Sequence, residues 1–164
     1  MLAEFCNWLI RTPASVWIQS TPWAVPAVQT VHILAIAIVL TYNLMLGLRL
    51  MGVAGRSRTY AQMAGESMPW VWGALAVLAA TGLILIVGEP ARELRNAAFW
   101  SKMAMLAVAI TVTFTLQRRV RGNASYWDES PARRQSGKVV ATVSMILWVS
   151  IAVAGRLIAY VPHG

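Results

Sequence analysis

Three basic side chains, His32, Lys102 and Arg156, lie inside stretches of sequence that are otherwise almost entirely apolar. Placing such a group in hydrocarbon is costly, so each of the three is a candidate functional residue by default. A neutral imidazole can ligate haem iron or hydrogen-bond a quinone carbonyl, and cations close to it can pair with haem propionates. His32 is therefore the predicted metal (haem iron) ligand or quinone contact, with haem b or quinone as the cofactor.

Four more residues complete the predicted cofactor-binding set. Gln29, one turn before His32, and Asn43, about three turns after it, fall close to the same helical face. Tyr160 lies four residues after Arg156 and Trp148 about two turns before it, so both share the face of Arg156. We expect His32, Lys102 and Arg156 to converge in the outer half of the membrane.

Other interpretations remain open at this point. His32 could instead bond to the backbone of a neighbouring helix or to a threonine such as Thr81 or Thr111, and then only lock helices together. Arg156 could act as a clamp between helices or, with Lys102, attract an anion, and the chain could also be a small transporter. Because the other histidine, His163, lies at the far C-terminal end, a haem would use one axial histidine or a second one from a partner subunit.

The elements that must position these residues follow from hydropathy. Apolar residues make up 58% of the chain and charged residues 12%, which is typical of a membrane protein. About 20 apolar residues are needed to cross a bilayer, and four stretches provide them. The predicted fold is an all-α integral membrane four-helix bundle with spans at about 22–50, 68–87, 97–116 and 138–160.

The N-terminal segment has a different pattern. Leu2, Phe5, Trp8 and Leu9 recur at helical spacing among polar residues before Pro13 interrupts the run, too early for a span. We expect residues 1–19 to form an amphipathic helix in the membrane interface and residues 20–164 to form the bundle.

Charge predicts the orientation. The net charge of +8 arises mainly from Arg and Lys in the loops between spans one and two and between spans three and four. Such loops stay in the cytoplasm, so both termini are predicted to be periplasmic in a bacterial inner membrane. The basic residues form no patch of the kind that binds nucleic acid, and no nucleic-acid partner is expected.

No motif of a soluble enzyme is present, and Cys6 is the only cysteine. We therefore expect no catalysis by this chain alone. The leading hypothesis is an accessory or anchor subunit of a membrane complex, redox in character, with membrane lipids and other membrane subunits or further copies of itself as partners.

The order of several segments resembles a known family: TPWAVPAVQTVHILAIAIVL, LGLRLMG, MPWVWGALAVLAATGLIL, NAAFWSKMAMLAV, ASYWDESP and AGRLIAY. They are similar to an uncharacterised, domain-of-unknown-function family of small four-helix bacterial membrane proteins. The resemblance implies that the family's motif residues are here His32, Lys102, Trp127, Asp128 and Arg156. Where members often carry an aspartate, this chain has Gly47.

Overall fold

The computed structural model describes residues 1–55, 57–123, 126–127 and 130–157, without the side chains of residues 120 and 121. Within those ranges the chain forms helices and no strand. In chain order they are α1 (Leu2–Leu9), α2 (Pro13–Ser20), α3 (Ala24–Met51), α4 (Tyr60–Gly88), α5 (Pro90–Leu94), α6 (Ala97–Gly122) and α7 (Pro131–Leu157). The helices α3, α4, α6 and α7 are long and apolar enough to cross a membrane, which confirms the predicted all-α class.

Local side chains fix where the long helices begin and end. At the start of α4 the Thr59 hydroxyl accepts from the Gln62 N–H at 3.2 Å, and the Gln62 side chain accepts from the Thr59 N–H at 3.0 Å. The Asn96 carboxamide oxygen caps α6 by accepting from the Ala98 N–H at 2.9 Å. At the end of α3, Gly52 adopts the left-handed conformation with φ +74°, which glycine enters without steric cost.

Three of the long helices extend beyond the stretches marked by hydropathy. Helix α4 begins at Tyr60, α6 continues to Gly122 and α7 begins at Pro131. The additional turns are rich in polar and small residues, so they are helical without being apolar enough to register as part of a span. Pro69 consequently lies inside α4 and not at its start.

The long helices run alternately up and down. Helix α3 packs against α4 and α7, and α6 packs against α7 and over a shorter stretch against α4. One end of the bundle is where α3 and α6 end and α4 and α7 begin; we call it the basic end, because its helix termini and loops carry most of the arginines. The opposite end, next to α5, is called the α5 end.

Two apolar layers form the core. The middle of the bundle contains Ala35, Val39, Ala74, Ala109, Trp148 and Ile151, and the layer nearer the basic end contains Leu46, Tyr60, Met63, Ala64, Met68, Leu116 and Trp127. Small residues in the middle layer let the helix backbones approach closely. Large apolar side chains such as Ile33, Leu83 and Ile146 are exposed on the outside, as a lipid environment permits.

Residues 1–19 fold as two short helices, α1 and α2, with a break before Pro13. Both pack at the α5 end: the Cys6 thiol lies 3.7 Å from the Pro90 carbonyl, and the Gln19 amide donates to the Gly88 carbonyl at 3.1 Å. Their placement in the membrane interface stays a prediction, as does the division of the chain at residue 19.

Candidate functional site

His32 lies in the half of α3 nearer the α5 end, and its imidazole faces α4. The ring Nδ1 is 2.7 Å from the Thr81 hydroxyl oxygen. Thr81 is one of the two threonines predicted as a structural partner for His32. The other, Thr111, donates instead to the Ala107 carbonyl of its own helix.

The surroundings of Thr81 assign the proton on the His32 ring. The Thr81 hydroxyl lies 2.7 Å from the Val77 carbonyl, one turn earlier in α4, and donates its single proton there. Its oxygen then accepts from the His32 Nδ1–H, so in the neutral ring Nε2 carries a lone pair. That nitrogen can accept a hydrogen bond or ligate a metal.

Lys102 approaches the same region from α6. Its half-buried side chain lies across Gly155 of α7, where an added Cβ would be 3.3 Å from the Lys102 Nζ. The Lys102 charge acts on both the His32 ring and the Glu93 carboxylate. The Lys102 charge therefore reaches the hydrogen-bonded pair of His32 and Thr81 from α6, and α7 supplies the glycine that leaves room for the lysine.

Glu93 belongs to α5, outside the membrane-spanning helices. It continues the series of polar groups formed by His32 and Lys102 toward the α5 end. Burial raises the pKa of the Glu93 carboxyl above its ordinary value; the positive charges of Lys102 and Arg92 oppose the shift, and the negative charge of Glu89 adds to it. Glu89 is itself paired with Arg92. A carboxyl, an amine and an imidazole thus follow one another from the bundle end toward its interior.

The other predicted site residues are distributed more widely. Gln29 is half-buried one turn before His32. Asn43 is about 16 Å further along α3, where its amide donates to the Val39 carbonyl of its own helix at 2.9 Å. Trp148 is buried in the apolar middle layer, and Arg156, next to Gly155, is exposed.

The predicted set is therefore not a single cluster. The structure brings Lys102 near His32, separates Asn43 from both, and places Trp148 in the core packing. Tyr160 lies outside the described residues, as does Asp128 of the predicted family motif.

Gly47, where the resemblance implies an aspartate in other members, has a packing role here. An added Cβ would be 2.8 Å from the Met145 sulfur of α7, so Met145 occupies the space that a larger side chain would need. Gly47 is buried, and a carboxylate has no room at this position while Met145 keeps its conformation.

Glu93 and Gly155 were not among the predicted site residues. Glu93 belongs to a short connecting sequence in which acidic and basic residues balance, a pattern typical of a solvated turn. Gly155 stands beside Arg156, and its sequence neighbourhood favours helix packing. Their roles depend on how α5, α6 and α7 meet, which local sequence does not reveal.

The four long apolar helices define a multi-pass membrane protein, and its distinguishing internal feature is a histidine hydrogen-bonded between two of those helices. The chain belongs to the family of unknown function DUF6644, whose model matches residues 15–161. No curated protein and no solved structure matches the chain. The match confirms the family resemblance and supplies no activity.

Proposed function

We propose that this protein is an accessory or anchor subunit of a membrane complex and that it binds a quinone-class ligand at His32. The observation that carries the proposal is the hydrogen bond from His32 Nδ1 to Thr81, because it leaves Nε2 with a lone pair. A quinol hydroxyl can donate to that nitrogen. The Lys102 ammonium, whose charge acts on the ring, can donate to the other oxygen of the ligand.

The subunit role is supported by what surrounds the four long helices. In the described part of the chain these are joined by loops and accompanied by short helices of five to eight residues. Such segments provide no separate catalytic domain. Electron transfer to or from the ligand therefore requires another subunit or a second copy of this chain.

Haem b is the second candidate, because metal-ligating histidines are typically held through the ring nitrogen that does not bind the metal. The described residues contain no group of three or more His, Cys, Asp and Glu side chains that could hold a metal ion. His163 lies outside those residues. A haem at His32 would use this one axial histidine or take a second one from a partner subunit.

Quinone content tests the leading proposal. The full-length protein is purified in mild detergent, extracted with organic solvent, and the quinone is quantified by chromatography. We expect near-stoichiometric quinone in the wild type and about tenfold less in His32→Leu, because the acceptor nitrogen is lost. Asn43→Leu is the matched control: it removes a polar side chain from the same helix at a distance from His32, and should retain the quinone.

The optical spectrum of the same preparations separates the alternatives. A Soret band that disappears in His32→Ala would replace quinone by haem as the ligand. If the wild type carries neither ligand and His32→Leu merely lowers the thermal unfolding midpoint, His32 locks α3 to α4 and both cofactor proposals are overturned.

We also propose that the basic end faces the cytoplasm of a bacterial cell, which places both termini in the periplasm. The proposal is supported by the arginines and lysine at that end: Arg49, Arg58, Arg118, Arg119, Arg133, Arg134 and Lys138. In a Cys6→Ser background, a membrane-impermeant maleimide applied to intact spheroplasts should label Ala97→Cys and not Ser57→Cys. Labelling of Ser57→Cys alone would reverse the orientation.

A further inference from the structure

A small cavity of about 20 Å³, here called the inner cavity, lies within the core layer nearer the basic end. Each of the four long helices contributes one polar side chain to its lining: Asn43 of α3, Tyr60 of α4, Thr113 of α6 and Ser144 of α7. The other lining residues are apolar or small: Leu46, Gly47, Leu50, Met68, Leu116 and Ala141. The inner cavity therefore borders a polar group from every long helix.

The polar groups of this lining keep hydrogen-bonding capacity. Thr113 is 2% exposed, and its hydroxyl has no partner within the described residues. The Asn43 amide nitrogen donates to the Val39 carbonyl, which leaves the Asn43 carbonyl oxygen as an acceptor. Ser144 is buried, and its hydroxyl can both donate and accept. Since unpaired buried polar groups cost free energy, this lining favours a ligand that donates as well as accepts.

The size of the inner cavity selects among such ligands. A buried water molecule needs about 10–15 Å³ or more and two to four polar partners, and the inner cavity meets both conditions. Organic ligands need far more space, about 300–1,000 Å³. None of the described lining residues is charged, so the lining offers no carboxylate of the kind that usually holds a hard metal cation. Water is the ligand that fits.

A wider cavity of about 390 Å³, the outer cavity, opens at the basic end. It is lined by the last turn of α3, the start of α4, the first turns of α7 and an indole: Arg49, Leu50, Met51, Gly52, Tyr60, Trp127, Arg134, Gly137 and Lys138. Leu50 and Tyr60 belong to the lining of both cavities. The two cavities are therefore neighbours, with these two side chains as their shared wall.

We propose that the inner cavity binds a water molecule held by its four polar side chains, and that this water exchanges with the basic end past Leu50 and Tyr60. The two cavities then form a water pathway into the bundle. Asn43 lies about two turns before the end of α3, so the pathway reaches roughly 12 Å inside that end. Asn43, which is distant from His32, thereby acts as a water ligand. The pathway is independent of the ligand proposed at His32.

The test locates bound water by X-ray footprinting of the full-length protein in phosphatidylcholine nanodiscs. A short X-ray pulse converts water into hydroxyl radicals, which oxidise the side chains beside it, and mass spectrometry quantifies the oxidised peptides. Met68 lines the inner cavity and is 5% exposed, whereas Met105 is only partly buried and packs against the apolar middle layer. We expect Met68 to be oxidised at least about fivefold more than Met105, because water lies next to it.

Hydroxyl removal tests which groups hold the water. The double variant Thr113→Val/Ser144→Ala should lower the oxidation of Met68 by at least about threefold, because the water loses two of its partners. Thr111→Val is the matched control: Thr111 belongs to the same helix, is exposed, and donates to the Ala107 carbonyl. This control should leave the oxidation of Met68 unchanged. Met68 oxidised no more than Met105 in the wild type, or equally in the wild type and the double variant, overturns the water site.

Exchange with the basic end is measured by rapid mixing with water enriched in heavy oxygen before the pulse. Leu50→Ala widens the shared wall and should speed the appearance of heavy oxygen at Met68 by at least about threefold. Leu83→Ala is the control, because Leu83 is exposed on the outside of α4 and lines neither cavity. A rate that Leu50→Ala leaves unchanged, or that both variants raise equally, overturns the route past Leu50.

Discussion

The two ends of the bundle use cationic side chains in different ways. At the α5 end, Lys102 extends across Gly155, where its charge acts on Glu93 and His32. At the basic end, arginine and lysine line an open cavity whose rigid wall is an indole. One end therefore holds its cation among titratable partners, whereas the other places its cations around an open cavity.

The glycines beneath these two arrangements differ correspondingly. Gly137 lies under the flat, buried ring of Trp127, and Gly155 lies under the flexible end of Lys102. A large aromatic ring packed in a core has few alternative positions, whereas a lysine chain has many rotamers. We therefore expect substitution of Gly137 to lower the free energy of unfolding more than substitution of Gly155.

The largest effect is expected for Gly137→Leu. The added side chain would displace Trp127, and overpacking of this kind should lower the free energy of unfolding by about 2 kcal/mol. Thermal unfolding in detergent measures the change. Gly73→Leu is the control, because nothing lies within 4 Å of a Cβ added there, and it should unfold close to the wild-type temperature.

Sequence reasoning predicts the four spans because apolar length in a bilayer leaves the backbone few alternatives to the helix. It is less successful at the helix ends. The α4 start at Tyr60 depends on the cap formed by Thr59 and Gln62, which hydropathy does not register. The family match confirms that the ordered segments from the first span to the last are those of one family.

The candidate site around His32 is also predictable only in part, because side-chain partners depend on contacts that hydropathy does not register. His32 stands out because a titratable group in an apolar stretch is rare, and its partner Thr81 was one of two candidates. The Asn43 amide donates to a carbonyl of its own helix. Packing decides whether such a side chain bonds to its own helix or to a neighbouring one. The family resemblance singles out Trp127, but its position in the cavity wall depends on how the ends of the long helices pack.

A second prediction concerns pH at the α5 end. Because the pKa of Glu93 is raised on folding, the folded state binds more protons than the unfolded state between the ordinary value, 4.5, and the raised one. Stability should therefore fall as the pH rises through that interval and stay low above it. Glu93→Gln should flatten this part of the profile, measured as the unfolding midpoint against pH.

Two further variants test whether the Lys102 charge contributes to this pH dependence of stability. Lys102→Met removes an attraction that favours the Glu93 carboxylate, so the pKa of Glu93 in the folded state should rise further and the loss of stability should extend to higher pH. Glu66→Gln is the matched control, since Glu66 is exposed and pairs with Arg58. An unchanged profile in Glu93→Gln would show that another group controls the pH response.

The smallest effect on stability is expected for Gly155→Ala. The new methyl would lie 3.3 Å from the Lys102 Nζ, and a small change of rotamer relieves that contact, so the free energy of unfolding should change by less than about 0.5 kcal/mol. Moving the ammonium should still alter its attraction to Glu93 and shift the pH profile. Gly137→Ala, assayed in parallel, should cost more, because Trp127 has less freedom to move. Equal costs for the two variants would mean that Lys102 is held as rigidly as the indole, and the contrast between the two ends would then lie in their charges alone.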